Sequence, residues 1–249
     1  MSNIYDALNK EKPGGAPPPT ASEPIAPGAR WALPPAGNRA SDRHIERIRQ
    51  RIVLELGTDC PAVVAFIGAV PGEGTSTLTL RFARELALVD PRPVLLVDGD
   101  LARSLGALSG VLHAVDTTPG LSDLLAGTDE LPRLVLGTEQ SNLHFLPHGR
   151  ADLPNLELVR SNRVEDALRE MTRHYAFVVI DAGAALSAPE TALLASLTTG
   201  VVLVVRAGRT RREVVQRAVE ALNRARCRVL GVVLNDRRYP IPGFVYRRI

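Results

Sequence analysis

Uninterrupted runs of apolar residues, rich in Val, Ile and Leu, recur along the chain from residue 63 onward. A half-exposed strand alternates apolar and polar residues, whereas an unbroken apolar run is typical of a strand that is covered on both faces. The pattern therefore predicts six buried strands: Val63–Gly68, Val94–Asp98, Leu143–Leu146, Phe177–Asp181, Val201–Val205 and Val229–Leu234.

Between these runs, apolar residues recur with the period of an amphipathic helix. The first such segment begins at Ser41 and precedes the first strand. Strand and helix alternation predicts an α/β fold with a doubly wound, mainly parallel sheet and helices on both faces. The apolar stripes are Ile45, Ile48 and Ile52; Leu78, Phe82 and Leu86; Val164, Leu168, Met171 and Tyr175; and Val215, Val219 and Leu222, while predicted capping boxes pair Thr210 with Glu213 and Ser187 with Glu190.

The N-terminal part of the chain has a different composition. Residues 11–40 contain eight prolines among Gly, Ala and Ser, which cannot bury enough apolar surface to offset the entropy of ordering. Ile4, Tyr5 and Leu8 have the spacing of one short amphipathic turn, which either docks on a partner or belongs to a frayed terminus. The expected organisation is a tail over residues 1–40, one domain over 41–235 and a C-terminal tail over 236–249.

Composition and charge exclude several function classes. No apolar run reaches the roughly 18 to 20 residues that span a bilayer, and the first residues lack a signal-peptide pattern, so we expect a cytoplasmic protein. Cys60 and Cys227 stand apart without metal-ligand spacing, so no metal cluster is expected. Lys10 and Lys12 are the only lysines among 30 basic residues, and arginine runs such as 206–212 are interpreted as solvated faces rather than a nucleic-acid surface.

A glycine-rich turn, AVPGEGTST, follows the first predicted strand and opens a helix. Such a turn points backbone N–H groups and a helix N-terminus at a phosphate, and Ser76, or alternatively Thr77, would place a hydroxyl on Mg²⁺. The turn departs from the usual P-loop pattern because Ala69 replaces the first glycine and Thr75 replaces the lysine, which leaves a plain strand-to-helix turn as the alternative. The expected phosphate-contacting residues are Pro71, Gly72, Glu73, Gly74, Thr75, Ser76 and Thr77.

Carboxylates end two further predicted strands. Asp98 and Asp100 close the run VLLVDGD, and Asp181 closes FVVID. Because ligands of such sheets bind beyond the C-terminal ends of the strands, we expect these carboxylates to converge with Ser76 on one site. Oxygen ligands of this kind build Mg-nucleotide sites, although each aspartate taken alone could instead cap a helix or join a loop ion pair.

Together these segments resemble the cytoplasmic kinase domain of the bacterial tyrosine kinases, which are relatives of the MinD and ParA deviant Walker P-loop ATPases. The matching motifs are, in order, PGEGTST, VDGDLAR, GLSDLLAG, LHFLPHGR, FVVID, VVLVVRAGRT and LGVVLN. The resemblance implies a Walker A turn, a Walker A′ motif with Asp98 and Asp100, and a Walker B motif with Asp181. It also implies ATP or ADP and Mg²⁺ as ligands, and a contact from Asn235 to the nucleotide base, with a strand-end turn as the alternative.

The resemblance further implies where the protein works. Its expected partner is an inner-membrane polysaccharide chain-length or export protein, which would recruit the chain to the inner face of the cytoplasmic membrane. The candidate phosphoacceptors are Tyr239 and Tyr246 in the C-terminal segment RRYPIPGFVYRRI. The family's ring-forming motif, Glu-x-x-Arg-x-x-Arg, is half present with Glu46 and Arg49 in place and Arg51 out of register, which leaves a homo-oligomer open.

Two departures from the family bear on activity. Thr75 stands where the family has the P-loop lysine, and AGA follows Asp181 where the family has Thr-Pro-Pro. Arg81 and Arg103 are the cations nearest to the site in sequence, but a planar guanidinium fits the lysine's position poorly. Loss of a comparable electrostatic group slows transfer by about 10² to 10³, so weakened phosphotransfer is expected.

The function expected from the sequence is a tyrosine kinase-like regulator of exopolysaccharide or capsule biosynthesis and export that binds ATP or ADP with Mg²⁺. In an active protein-tyrosine (auto)kinase or ATPase, Asp98 and Asp100 would be catalytic, and Ser76, Asp98 and Asp181 would hold Mg²⁺. One alternative is a nucleotide-free pseudokinase scaffold for a membrane export partner. The other is a MinD/ParA-type positioning ATPase, for which the proline-broken C-terminal segment supplies no membrane helix.

Overall fold

The computed structural model describes residues 30–33, 39–57, 61–101, 107–112, 118–150 and 162–236. Within this part of the chain, no helix has both the length and the apolar character needed to cross a membrane. Several predictions lie outside the described residues: the docking turn at Ile4, Tyr5 and Leu8, the thiol of Cys60, the cation of Arg103, and the phosphoacceptors Tyr239 and Tyr246.

The described strands form one sheet. They are β1 (Arg30–Trp31), β2 (Ala62–Gly68), β3 (Val94–Asp98), β4 (Leu136–Thr138), β5 (Leu143–Leu146), β6 (Phe177–Ala184), β7 (Gly200–Arg206) and β8 (Val229–Asn235). Their order across the sheet is β1-β4-β5-β3-β6-β2-β7-β8. Every neighbouring pair is parallel except β4 with β5, so the predicted mainly parallel sheet is confirmed.

Helices cover both faces of this sheet. They are α1 (Arg39–Leu56), α2 (Thr75–Val89), α3 (Ala107–Val111), α4 (Leu121–Ala126), α5 (Leu131–Leu134), α6 (Arg163–His174), α7 (Pro189–Ser196) and α8 (Arg212–Arg224). One core layer joins the sheet to α1, α2 and α3, and the other joins it to α4 through α8. Along β2, Ala65 belongs to one layer and Phe66 to the other, which explains why the run has no polar positions.

All six predicted strands are present, and each end lies at the predicted residue or within three residues of it. The short strands β1 and β4 were not predicted because two or three residues carry no periodic signal. β1 lies inside the segment that was expected to be a tail and pairs with β4, and α1 begins at Arg39 rather than at Ser41, so that expectation is corrected for these residues.

The two predicted capping boxes are wrong. The N-cap residues of α8 and α7 are Arg211 and Ala188, and neither makes a side-chain capping bond. The hydroxyl of Thr210 instead bonds to the carboxylate of Glu73, which belongs to the glycine-rich turn. The hydroxyl of Thr210 therefore satisfies the buried carboxylate of Glu73, which needs a hydrogen-bond donor, instead of capping α8.

Candidate functional site

The glycine-rich turn joins β2 to α2 at the C-terminal edge of the sheet. Gly72 and Gly74 have φ angles of 87° and 79°, in the left-handed region that residues with a β-carbon rarely adopt. Gly74 is the N-cap of α2, so the helix begins at Thr75 with its free N–H groups facing out of the sheet edge. The turn thus has the backbone geometry of a phosphate-binding cradle.

A cavity of about 580 Å³ opens above this cradle. Six of the seven predicted phosphate-contacting residues line it, the exception being Glu73. Of the predicted acidic residues, Asp100 and Asp181 line the cavity and Asp98 does not. The lining residues are Val70, Pro71, Gly72, Gly74, Thr75, Ser76, Thr77, Asp100, Val111, Asp181, Gly183, Ala184, Ser187, Ala188 and Glu190.

Two buried carboxylates lie side by side beneath the cavity. Asp98 and Asp181 are in register on the adjacent strands β3 and β6, and they are 0% and 1% exposed. Asp98 Oδ2 accepts a hydrogen bond from the backbone N–H of Ser109 at 2.5 Å. Within the described part of the chain, Asp98 Oδ1 and both oxygens of Asp181 have no hydrogen-bond partner. Buried carboxylate oxygens without a hydrogen-bond donor are stabilised by binding either a proton or a cation.

The pKa values of Asp181 and Asp98 are both shifted, because these carboxyl groups are buried with few hydrogen-bond donors. Burial, together with the charges of Asp98 and Asp100, raises the pKa of Asp181 to about 8. The Ser76 hydroxyl and the Gly183 N–H oppose this shift in part, since they lie near the carboxylate without completing a hydrogen bond. Burial also raises the pKa of Asp98, against the hydrogen bond from Ser109. Both carboxyl groups thus hold a proton more readily than an ordinary aspartate does, unless a cation compensates them.

Mg²⁺ fits this donor set in combination with phosphate oxygens. Ser76 lines the cavity and lies close to Asp181, whose unsatisfied oxygens are ligands that Mg²⁺ prefers. Among the described residues, no group of three His, Cys, Asp or Glu side chains could hold a metal ion by itself. An ion at this edge would therefore need further ligands from a bound phosphate or from water.

The segment AGA after Asp181 has a steric role in the site. Gly183 has a φ of 79°, and a β-carbon built there would collide with the carboxylate of Asp100. Asp100 itself is 5% exposed and lines the cavity. The glycine therefore lets Asp100 approach the end of β6, and a larger residue at position 183 would push this carboxylate away.

Glu73 connects the cradle to β7 rather than lining the cavity. Its side chain is 2% exposed, and its carboxylate accepts hydrogen bonds from the backbone N–H of Arg206 and from the Thr210 hydroxyl at 2.7 Å. A buried carboxylate with these donors holds the turn against the loop that precedes α8. This contact could not be predicted from a local pattern, because Glu73 and Thr210 are far apart along the chain.

Replacing Glu73 with Ala is expected to lower the free energy of unfolding by about 1 to 3 kcal/mol, because two partly buried donors lose their buried acceptor. Urea denaturation followed by circular dichroism measures the effect. Glu220→Ala, at an exposed position of α8, is the matched control and should change stability by less than about 0.5 kcal/mol. Equal effects of the two substitutions would contradict a structural role for the Glu73 contacts.

Asn235 also contacts the cradle from behind. Its Nδ2 donates to the backbone carbonyl of Glu73 at 2.8 Å, and a β-carbon on Gly74 would collide with this amide. Gly74 is therefore needed both for its backbone angle and for the close approach of Asn235. The predicted contact of Asn235 with a nucleotide base stays a prediction.

His148 is a further residue of the site that sequence reasoning passed over. It follows β5 at the same sheet edge, is buried, and lies near enough to Asp98 to oppose in part the rise in the pKa of that carboxyl group. Its backbone N–H donates to Ser109 Oγ, and Ser109 in turn bonds Asp98 through its own N–H. The motif LPHGR lies at the end of a predicted strand, so its position at the binding edge was the available signal.

The cradle, the strand-end carboxylates and the mainly parallel sheet define the chain as a P-loop NTPase-like α/β protein. The septum site-determining protein MinD of Pyrococcus horikoshii, solved with Mg-ADP, has a TM-score of 0.59 and covers 75% of this chain and 76% of its own. Its identity of 24% makes this a likeness of fold. No protein-family model matches the chain.

Sequence relatives narrow the class to a family. Tyrosine-protein kinase CpsD of Streptococcus agalactiae is 29% identical over 174 residues, which are 70% of this chain and 74% of CpsD. The ptk tyrosine-protein kinase of Acinetobacter johnsonii is 27% identical over 203 residues, and this chain spans only 27% of its length. The solved kinase domain of VpsO is 30% identical with a TM-score of 0.70, covering 80% of this chain and 96% of that domain. The chain belongs to the bacterial tyrosine kinase family, as its motifs predicted.

Proposed function

We propose that the cavity binds ATP or ADP with Mg²⁺ and that the protein is a tyrosine kinase-like regulator of exopolysaccharide or capsule biosynthesis and export. The observation that carries the proposal is the pairing of a glycine cradle with buried, unsatisfied carboxylate oxygens at one sheet edge. The cradle offers N–H donors to phosphate, and the carboxylates offer oxygen to a cation. The bacterial tyrosine kinase family supports the assignment to polysaccharide production.

Each residue of the site has a distinct task in this proposal. Ser76 and Asp181 are the residues that would hold Mg²⁺, which when bound neutralises charge on the phosphates. Asp98 lies beside Asp181 on the neighbouring strand and would complete the carboxylate pair. Asp100 lines the cavity and is the better placed of the two candidate catalytic carboxylates to accept a proton from a tyrosine hydroxyl.

Weakened phosphotransfer follows from the residue at the lysine position. Thr75 lines the cavity with a hydroxyl where the family carries an ammonium group. A hydroxyl can donate one hydrogen bond to a phosphate but brings no positive charge. Stabilisation of charge in the transition state is therefore reduced, while the backbone donors that bind the ground-state phosphates are kept.

The proposed setting is the cytoplasmic side of a membrane, with an inner-membrane polysaccharide chain-length or export protein as partner. Occupied and empty forms of the cavity would present different surfaces to that partner. The support for this setting is family membership. The likeness to MinD concerns the fold and gives no separate support to a positioning ATPase.

A nucleotide-free scaffold is the second candidate, and one observation favours it. Among the described residues that line the cavity, the ionisable ones are all acidic, namely Asp100, Asp181 and Glu190. A cavity lined in this way repels phosphate unless cations accompany the ligand. The nucleotide-free scaffold and the proposed nucleotide-binding regulator therefore differ in one measurable property, which is magnesium-dependent binding of ADP or ATP.

Calorimetric titration with ADP and ATP, each with and without Mg²⁺, tests the proposal. We expect binding that requires Mg²⁺ in the natural protein and that is lost in Ser76→Ala, because the hydroxyl is one of the ion's proposed ligands. Ser196→Ala, the same change on α7 away from the cavity lining, should bind like the natural protein. Absence of binding under all four conditions would reject the nucleotide site and support the scaffold.

A further inference from the structure

The glycine-rich turn has to bind phosphate mainly through its backbone. Thr75 stands where a P-loop normally has a lysine, and the hydroxyl of threonine brings no positive charge. The N–H groups of the turn and of the first turn of α2 therefore carry more of the phosphate binding than they do in a site with lysine. A hydrogen-bond donor is effective only over a narrow range of angles. Whatever fixes the peptide groups of the turn therefore also sets its affinity for phosphate.

The side chain of Asn235 holds one of these peptide groups. Its Nδ2 donates to the carbonyl oxygen of Glu73 at 2.8 Å. A trans peptide is planar and has its C=O and N–H on opposite sides, so the N–H of Gly74 points away from Asn235. Gly74 lines the cavity, whereas Asn235 is not among the described residues that line it. The hydrogen bond at the back of the turn therefore directs the Gly74 N–H toward the side on which a phosphate would bind.

Asn235 is itself held in place at the end of β8. It is in register with Arg206 on β7, and its backbone carbonyl accepts a hydrogen bond from the N–H of Ala207 at 2.8 Å. The next residue, Asp236, pairs with the Arg206 side chain at 2.7 Å from Nη2 to Oδ2. A β-carbon on Gly74 would collide with Nδ2 of Asn235, so the amide packs closely against the turn. These contacts make the Asn235 amide a rigid support for the turn.

Glu73 is held through its side chain by the same part of the sheet. Its buried carboxylate accepts hydrogen bonds from the N–H of Arg206 and from the hydroxyl of Thr210. These side-chain contacts locate Glu73, whereas the bond from Asn235 sets the rotation of the peptide group that follows it. The Glu73 carboxylate and the Asn235 amide therefore have different tasks, and the orientation of the Gly74 N–H depends on the amide.

We propose that Asn235 is a positioning residue for phosphate binding and does not read the nucleotide base. Its amide keeps the Gly74 N–H directed at a phosphate, and a donor that is already oriented loses less entropy when the ligand binds. This role rests on the proposed function, because it needs a phosphate-bearing ligand in the cavity. It takes the place of the base contact that the family resemblance implies, since the Nδ2 of Asn235 is already bonded to the turn.

Calorimetric titration of the natural chain and of Asn235→Ala with Mg-ATP, Mg-GTP and Mg-tripolyphosphate tests the proposal. We expect the Kd of all three ligands to rise by the same factor, about three- to tenfold, which is the effect of losing one neutral hydrogen bond. Tripolyphosphate has no base, so its Kd reports on the phosphate cradle alone. The ratio of the Kd values for ATP and GTP should stay within about twofold of the natural ratio.

Asn142→Ala is the matched control. The amide of Asn142 also donates to backbone carbonyls, those of Ala87 and Asp90 at 2.9 and 2.8 Å. These bonds lie just before β5, at the end of the sheet opposite to the cavity. We expect Asn142→Ala to lower thermal stability and yet to keep the Kd of all three ligands within about twofold of the natural values. Equal weakening by both substitutions would mean a general structural effect and would overturn the positioning role.

The remaining outcomes separate phosphate positioning from base reading. If Asn235→Ala binds Mg-tripolyphosphate like the natural protein, or if its ratio of ATP to GTP binding changes, the positioning role is wrong and the nucleotide site stays intact. A natural protein that binds Mg-ATP but no Mg-tripolyphosphate would also contradict it. If Asn235→Ala does not fold, Asn235→Ser is measured in the same way. If the natural protein binds none of the three ligands, the proposed function fails and the positioning role fails with it.

Discussion

A Thr75→Lys variant is expected to bind Mg-ATP at least about tenfold more tightly than the natural protein and to raise any phosphotransfer by about 10² to 10³. Thr75 lines a cavity of about 580 Å³, so a longer side chain has room to extend toward the phosphates. The gain in transfer should exceed the gain in binding, because phosphate charge is stabilised most strongly in the transition state. Calorimetry measures the first quantity, and labelled phosphate on Tyr239 or Tyr246 measures the second.

Thr75→Met is the matched control, because methionine has nearly the length of lysine without its charge. It should bind Mg-ATP no better than the natural protein. If the Lys and Met variants bound equally, side-chain length rather than charge would limit the site. A lysine variant that binds more tightly without any phosphotransfer would mean that the chemistry is blocked elsewhere, for instance at the carboxylate of Asp100.

The sheet could be predicted in detail because its strands are buried on both faces. Continuous apolar runs such as Val94–Asp98 leave no other interpretation once helical segments flank them, and the observed strand has the same bounds. The short strands β1 and β4 lie at one edge of the sheet, where pairing depends on neighbours that are distant in sequence. Two or three residues cannot carry a periodic signal of such a contact.

The candidate site was predictable to the extent that topology fixes it. Parallel strands deliver their last residues to one edge, so Asp98 and Asp181 were expected together, and they are in register. The role of Glu73 could not be predicted, because its partner Thr210 also satisfies a local capping pattern. The acidic character of the cavity lining could not be predicted either, because it depends on Glu190 of α7 lying at the cavity.

The metal-free natural protein is expected to lose stability as the pH rises toward 8, and Asp181→Asn is expected to remove most of that loss. The pKa of Asp181 is raised from its ordinary 3.8 to about 8 in the folded chain. Between these values the folded state holds a proton that the unfolded state has released. The contribution is therefore complete below pH 3.8 and is lost as the pH rises through 8, at no more than about 1.4 kcal/mol per pH unit.

Asparagine has the shape of aspartate but does not ionise, so at pH 8 the metal-free Asp181→Asn variant should be more stable than the natural protein by about 1 to 3 kcal/mol. Mg-ATP should reverse the order, because the natural protein gains stability from the bound ligand and the variant loses the proposed Mg²⁺ ligand. Thermal unfolding with and without Mg-ATP at several pH values measures both effects. Asp166→Asn, at an exposed carboxylate, is the control and should show neither. A metal-free variant that is less stable than the natural protein at pH 8 would mean that the Asp181 carboxylate is compensated within the fold.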